Sequence, residues 1–320
     1  MRDGSSWRAL GLVMFLTVAA ACSSGGEATD MPSPSSAGDP NTDQLARIID
    51  RGTLVLSTDP VYPPQSYAVE DAARATDTRC TPDQMTADEI TGFDAETGKL
   101  VAEALGVEPC FIVPTWTEIT GGNWGDRWDI SYGSGSINED RMERLWMTQP
   151  YYAVPNYYFV AEASRYQEPS DLDGHAIGAC ASCSHELYLR GELVIPGVEI
   201  APTVEDPQIV TFNTESAGLE KVAAGKLDAF LAADPVGQAQ IETGLALRKL
   251  DEVAFTYYPS GFLDKSSTLS QRAFFERVNE IIQQAQAAGT LMKLSQEFFG
   301  ADYVAAAAAY DIETLEQEVS

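Results

Sequence analysis

Short apolar runs alternate with amphipathic stretches twice along this chain, and that alternation limits the fold more than any single motif does. Thr53-Leu-Val-Leu-Ser57 is apolar and partly β-branched, is entered from Gly52 and leaves through Asp59-Pro60, as a buried strand ending in a loop does. A helix follows: from Glu96 to Leu105 the residues Leu100, Val101, Ala104 and Leu105 share one face, and Gly106 stands where a helix terminates. Phe111-Ile-Val113, Asp129-Ile-Ser-Tyr132 and Tyr157 to Val160 continue as strands. A second series starts at Ala176-Ile-Gly-Ala179 and passes through a helix after Ser184, a strand near Glu199-Ile-Ala201 and a helix at Leu219 to Ala224. It reaches a strand at Leu227 to Ala232. A long helix with Phe274, Val278, Ile281, Ile282 and Ala285 on one stripe comes next, and after Gly289 another with Leu291, Leu294 and Phe298. Strand-helix-strand order predicts parallel sheets with right-handed crossovers. The expected architecture is α/β, in two lobes.

The chain opens on a segment of another kind. Arg2 and Arg8 precede an uncharged stretch from Ala9 to Ala21, 13 residues long, which suits the h-region of an export signal and is too short to cross a bilayer as a mature helix. Val18-Ala19-Ala20-Ala21-Cys22 sets small residues directly before a cysteine and resembles a lipobox, with Ala19 where Leu is commoner. The expectation is a signal peptide over 1–21 and a lipid, palmitate among its acyl chains, on Cys22; the alternative is a secreted protein with an incidental cysteine. Ser23 to Gln44 is dominated by Ser, Gly and Pro, has four acids and no base, and cannot pack a core, so 22–44 reads as a disordered tether. Residues 301–320, with five acids, no base and an alanine run, read as an acidic C-terminal extension, either a solvated helix or frayed.

Five cysteines are an odd number, but a lipid on Cys22 leaves Cys80, Cys110, Cys180 and Cys183, an even set suited to an oxidising compartment. Sequence permits three pairings. Cys80 with Cys110 and Cys180 with Cys183 is preferred because each pair lies within one region of the chain. Cys180 and Cys183 also admit a partial metal site with His185, or a redox pair, and miss the haem pattern because Ser184 precedes His185. His175 and His185 are the only histidines, so no His-rich metal centre is available, and no cofactor is implied. Charge narrows the partners further. Lys+Arg number 20 against 48 Asp+Glu, a net −28, which repels nucleic acid and anionic surfaces.

The string Arg51-Gly-Thr-Leu-Val-Leu-Ser-Thr-Asp-Pro-Val-Tyr-Pro-Pro64, then Thr91-Gly-Phe-Asp94, then Trp128-Asp-Ile-Ser-Tyr-Gly-Ser-Gly-Ser-Ile-Asn-Glu-Asp-Arg141, then Gln149-Pro-Tyr-Tyr152, resembles the polar amino-acid solute-binding proteins of ABC importers. The likeness runs from about Leu45 to Gly300 and includes Gly225-Lys-Leu-Asp-Ala229 and Ala288-Gly-Thr-Leu291. It implies the type II periplasmic-binding fold, two α/β lobes joined by two crossover strands, with 45–154 and 259–300 in the first lobe and 155–258 in the second. It also implies a monomeric, non-catalytic protein outside the cell membrane. Such a protein clamps an amino acid or related small carboxylate between its lobes and passes it to an ABC permease.

Residue by residue, the resemblance carries ligand-carboxylate binding onto Arg141, whose planar fork forms two parallel N–H···O bonds to a carboxylate, and supporting contacts onto Ser134 and Ser136. Asn138 stands where the family usually has Thr, and can still cap a helix. Tyr62 and Trp116 match rings that sandwich the ligand, and Asp59 an acid near its distal end. In the second lobe Ser184 is the best match to a hydroxyl on the carboxylate, although Ser182-Cys183-Ser184 replaces the family's Gly-Thr-Thr type turn. The family's ammonium-holding acid falls on Ala233; the nearest acid, Asp234, is one residue late and reaches the ligand only through a bulge. Ser66 to Ile90 is longer than the usual link and is expected to be a loop pinned through Cys80 to Cys110.

Two other classes use this fold: exported dehydratases acting on cyclohexadienyl substrates, and ligand-sensing accessory lipoproteins. An enzyme needs a general acid in the cleft with a raised pKa, and no Glu at a recognised cleft position stands out. A sensor normally continues into a transmembrane helix and a signalling domain, which the sequence to Ser320 does not contain.

Overall fold

The computed structural model describes residues 38–320, so the expected signal segment, Cys22 and most of the tether lie outside the described residues. One sheet has the order β4 (Met85–Thr86), β6 (Glu108–Ile112), β1 (Thr53–Ser57), β7 (Ile130–Ser131), β15 (Ser260–Asp264), β8 (Leu145–Pro150). The other runs β11 (Gln208–Phe212), β10 (Ala176–Cys180), β12 (Ala229–Ala233), β9 (Val154–Ala161), β13 (Leu247–Lys249), with β14 (Phe255–Tyr257) also on β9. A small antiparallel sheet of β2 (Val61–Tyr62), β3 (Ser66–Ala68) and β5 (Ile90–Thr91) follows the carboxyl end of β1.

Both large sheets have parallel centres, β6-β1-β7 and β11-β10-β12. Their flanks are antiparallel, so the parallel sheets expected from strand-helix-strand order are mixed sheets. The cause is how the chain changes lobe. β8 leaves the first sheet and becomes β9 of the second, β14 leaves the second and becomes β15 of the first, and the returning strand lies antiparallel beside the outgoing one on both sides.

Helix α1 (Gln44–Arg51) starts where the tether was expected to end, capped by Asp43, whose carboxylate accepts from the Ala46 N–H at 2.8 Å. Helix α2 (Phe93–Leu105) stops at Gly106, as the sequence predicts. The short helices α3 (Trp116–Gly121), α4 (Glu139–Met142) and α5 (Ser184–Leu189) lead away from strand ends. α6 (Glu215–Ala223) and α7 (Asp234–Glu242) serve the second sheet; α8 (Arg272–Ala287), α9 (Thr290–Phe299) and α10 (Ala305–Ala308) complete the first lobe. Phe274, Val278, Ile281 and Ile282 of α8 are buried, and at about 1.5–3 kcal/mol for each side chain this stripe docks the helix. The strand expected near Glu199–Ala201 does not form; the outer neighbour of β10 is β11 instead.

Cys80 is bonded to Cys110 and Cys180 to Cys183. The first bond ties the long stretch after β3 to β6. The second takes both sulfurs out of reach as thiolates, which leaves the metal alternative with His185 alone. Residues 301–320 are packed along one side and not frayed: Val304, Ala307, Leu315 and Val319 are buried while the acids of the segment stay exposed. Among the described residues no helix is long and apolar enough to cross a membrane.

Candidate functional site

Loops and helix starts at the carboxyl ends of parallel strands present free polar groups, and here those of the two sheets face each other. Asn138 caps α4, its Oδ1 accepting from the Arg141 N–H at 2.9 Å. That short helix fixes Arg141, which is 3% exposed. Its Nη1 donates to the Ser136 carbonyl at 2.8 Å and to Ser136 Oγ at 3.2 Å, and its guanidinium lies 4.9 Å from the Trp116 ring centre. Asp140, its chain neighbour, pairs with Arg144 instead at 2.7 Å. Among the described residues no carboxylate pairs with Arg141. Burial pulls its pKa down to about 10, which leaves it charged at neutral pH. Only Nη1 has protein acceptors among the described residues, so the rest of the guanidinium keeps N–H donors suited to an anion.

The lobes touch around it. Ser136 Oγ lies 2.5 Å from Ser184 Oγ, Trp116 Nε1 donates to the Ser182 carbonyl at 3.2 Å, and the Tyr62 hydroxyl donates to Glu215 Oε1 at 3.1 Å. Glu215 is the first residue of α6, follows the N-cap Thr214 and is 5% exposed. Burial is the main cause of its carboxyl pKa being pushed up to about 7. Its other oxygen accepts from the Ala233 N–H at 3.3 Å.

His185 stands beside this carboxylate, Nδ1 to Oε1 3.8 Å. Asn156 donates through Nδ2 to the Val154 and Phe255 carbonyls, which turns its Oδ1 toward His185 Nε2 at 2.7 Å. Nε2 therefore carries the proton, and the Nδ1 lone pair faces Glu215 and the Cys180–Cys183 sulfurs. Burial and the Arg141 charge pull the imidazole pKa down to about 3, so this contact is not an ion pair.

A second buried acid lines the first-lobe side. Asp94 accepts from Ser134 Oγ at 2.6 Å and the Tyr151 hydroxyl at 2.9 Å, and burial pushes its carboxyl to about 7. Ser134 sits at φ 57°, a left-handed conformation that non-glycine residues seldom adopt. The Tyr257 hydroxyl lies in the field of Glu215, Asp94 and Arg141 together.

Of the residues proposed from sequence, Tyr62, Trp116, Ser136, Arg141 and Ser184 meet at this contact, and Ser134 adjoins it through Asp94. Asp59 is exposed, with its carboxylate accepting from the Val61 N–H at 3.0 Å, and it lies close enough to Asp94 for its charge to help raise that carboxyl's pKa. Asp234 is engaged elsewhere. Its two oxygens are taken by Lys249 Nζ and the Tyr303 hydroxyl, each at 2.7 Å. No bulge turns it inward, because β12 pairs with β9 in unbroken register from Ala229 to Ala233 and the one-residue offset persists. The sequence pattern does not mark Glu215, Asp94, His185 or Tyr257 as ligand contacts. Asp94 ends the Thr91-Gly-Phe-Asp94 motif, whereas Glu215 shows in sequence only as an acid in a first helical turn, where acids are common.

Two sheets linked by paired crossovers, with a buried cation and buried acids between them, define a two-lobed ligand-binding protein of the type II periplasmic-binding fold. Residues 54–301 match the family described as bacterial extracellular solute-binding proteins, family 3, and the chain belongs to that family. It is 24% identical over 268 residues to the L-cystine-binding protein TcyJ of Escherichia coli K12, covering 81% of this chain and 86% of that one. It is 24% identical over 255 residues to the cyclohexadienyl dehydratase of Pseudomonas aeruginosa, covering 78% and 83%. Among solved structures, the substrate-binding protein AbpA of Streptococcus pneumoniae bound to L-arginine superimposes with a TM-score of 0.62 at 21% identity. That match covers 80% of this chain and 98% of AbpA.

Proposed function

We propose that this protein is the lipid-anchored, extracytoplasmic binding protein of an ABC importer, held to the membrane through Cys22, which captures an amino acid between its lobes and delivers it to a permease. Arg141 carries the ligand class: it is a buried cation without a counter-ion among the described residues, and a ligand carboxylate supplies one through two parallel N–H···O bonds. Ser136 and Ser184 add hydroxyls beside it, and Tyr62 and Trp116 add ring faces. Glu215 receives the ligand ammonium. Asp94 suits a second nitrogen cation at the far end, a feature of both L-arginine and L-cystine, which the relatives' names mention.

A thermal-shift screen of the signal-free protein tests this reading. An amino acid at 100 times its dissociation constant adds about 2.7 kcal/mol. L-arginine, L-lysine and L-cystine are expected to stabilise, and simple carboxylates without an ammonium are not. No stabilisation by any amino acid overturns the reading.

Glu215 favours one other reading, an exported dehydratase, because a buried carboxyl with a pKa near 7 is a serviceable general acid. Incubation with a cyclohexadienyl carboxylate separates the two readings, since only the enzyme produces the aromatic product's absorbance.

A further inference from the structure

The segment 301–320 is fixed to the first lobe along its length. Ser295 Oγ holds its start, donating to the Ala301 carbonyl at 2.6 Å and accepting from the Tyr303 N–H at 3.0 Å. Gln149 Nε2 donates to the Ala307 carbonyl at 3.2 Å. Leu315 packs in one cluster with Ile119, Trp124 and Phe262. Gln317 lies along β8, its Oε1 accepting from the Met147 N–H at 2.7 Å and its Nε2 donating to the Met147 carbonyl at 2.8 Å. β8 is the last strand of its sheet, so one side chain satisfies a backbone pair that a sheet edge leaves open. The Ser320 carbonyl accepts from the Gln271 and Arg272 N–H groups at the start of α8.

Two tyrosines reach from this segment into the second lobe. The Tyr303 carbonyl accepts from Ala153 at the first crossover at 2.7 Å, while its hydroxyl donates to Asp234 at the start of α7. Tyr310 packs on Tyr258 at the second crossover, ring centres 4.7 Å apart, and its hydroxyl donates to the Pro196 carbonyl at 2.7 Å. The same second-lobe segment meets the first lobe again nearby, the Val194 carbonyl accepting at 3.1 Å from the N–H of Glu139. Glu139 opens α4, the helix that carries Arg141.

We propose that residues 301–320 form a strap, anchored on the first lobe and latched to the second by the Tyr303 and Tyr310 hydroxyls, that holds the cleft shut and sets how readily it opens. A rotation that lifts the second lobe away from Arg141 breaks the Tyr310–Pro196 and Glu139–Val194 bonds together, and the strap cannot follow because its anchors stay behind. Bonds made only in the closed form shift the closed-to-open ratio, by roughly two- to tenfold for each hydroxyl. Apparent ligand affinity follows the closed, binding-competent fraction.

The test is the double variant Tyr303→Phe/Tyr310→Phe in the signal-free chain, which keeps both rings and removes two hydroxyls. Small-angle scattering of the dialysed protein without added amino acid is expected to give a larger radius of gyration than the parent. Tyr166→Phe, which removes a hydroxyl bonded to Asp228 within the second lobe, is expected to leave the radius unchanged. Equal radii for parent and double variant overturn the strap, and so does a Tyr166→Phe increase as large as the double variant's. Should the double variant lose its circular dichroism signal, Tyr310→Phe alone is measured on the same terms. The experiment uses no ligand, so its outcome is independent of the amino-acid reading.

Discussion

The Ala233 N–H donates to a Glu215 carboxylate oxygen at 3.3 Å. Family resemblance asks for an acid on residue 233, where this chain has a methyl group. The carboxylate arrives from α6 instead and is held by the backbone of the residue that lacks it. Buried charge partners are costly to remove, typically 2–5 kcal/mol. Glu215→Gln is therefore expected to weaken amino-acid binding by roughly 30-fold to several-thousand-fold. Asp234→Asn keeps the Tyr303 hydrogen bond and is expected to stay within about threefold of the parent, because exposed or partly exposed pairs such as Lys249–Asp234 contribute little. Titration calorimetry on both variants decides, and the reverse ranking would restore Asp234 as the ammonium site.

The same carboxylate is expected to make binding pH-dependent. Burial pushes Glu215 and Asp94 to about 7, above the value near 4 that carboxyls have in an unfolded chain. Between those values the native state holds more protons than the unfolded state. Their contribution to stability is thus full below about pH 4 and is lost as pH rises through 7. A ligand ammonium reverses the preference, since pairing favours the ionised carboxylate. Binding at pH 6 is expected to release a proton, with affinity rising up to about tenfold per pH unit and levelling off above pH 7. Calorimetry at pH 6 in buffers of different ionisation enthalpy measures the release, and affinity that falls from pH 6 to 8 contradicts it.

Arg141 gives a prediction of opposite sign for stability and binding. An unpaired buried guanidinium costs folding free energy, so Arg141→Ala is expected to melt at or above the parent temperature without ligand. With ligand the order reverses, because the variant leaves a carboxylate unpaired and loses roughly 30-fold or more in affinity. Melting curves with and without a stabilising amino acid show both effects in one experiment. A variant that binds undiminished removes Arg141 from the site.

The elements with one buried face were legible from periodicity: β1, α2 and α8 fall where the apolar spacing puts them. β11 was not, because it is a sheet edge that exposes Gln208, Val210 and Thr211, and a strand without a one-sided face has no alternation to read. Nor does the string Glu-Asp-Arg-Met-Glu around Arg141 reveal burial; composition alone suggests a solvated helix, and only the motif before it points inward. Glu215 and Ala233 are 18 residues apart, and nothing local relates an acid at a helix start to the amide at the end of the next strand. That relation exists only once α6 packs beside β12. The packed tail was equally hidden, since its alanine run and five acids describe a surface and not what Tyr303, Tyr310 and Gln317 bind.

The two disulfides separate stability from binding. Cys80–Cys110 joins residues 30 apart, a loop whose closure in the unfolded chain accounts for about 3–4 kcal/mol on the chain-entropy relation. Cys180–Cys183 spans a sequence separation of 3, and the same relation gives it about half as much. The short one, however, shapes the turn that offers Ser182 to Trp116 and Ser184 to Ser136, and its sulfurs border His185 beside Glu215. Cys80→Ser/Cys110→Ser is therefore expected to cause the larger fall in melting temperature while affinity changes less than about threefold. Cys180→Ser/Cys183→Ser is expected to show a smaller fall in melting temperature and the larger loss of affinity. Measuring both quantities for both pairs checks the division, and a Cys180/Cys183 variant with parental affinity would show that the turn keeps its shape without the bond.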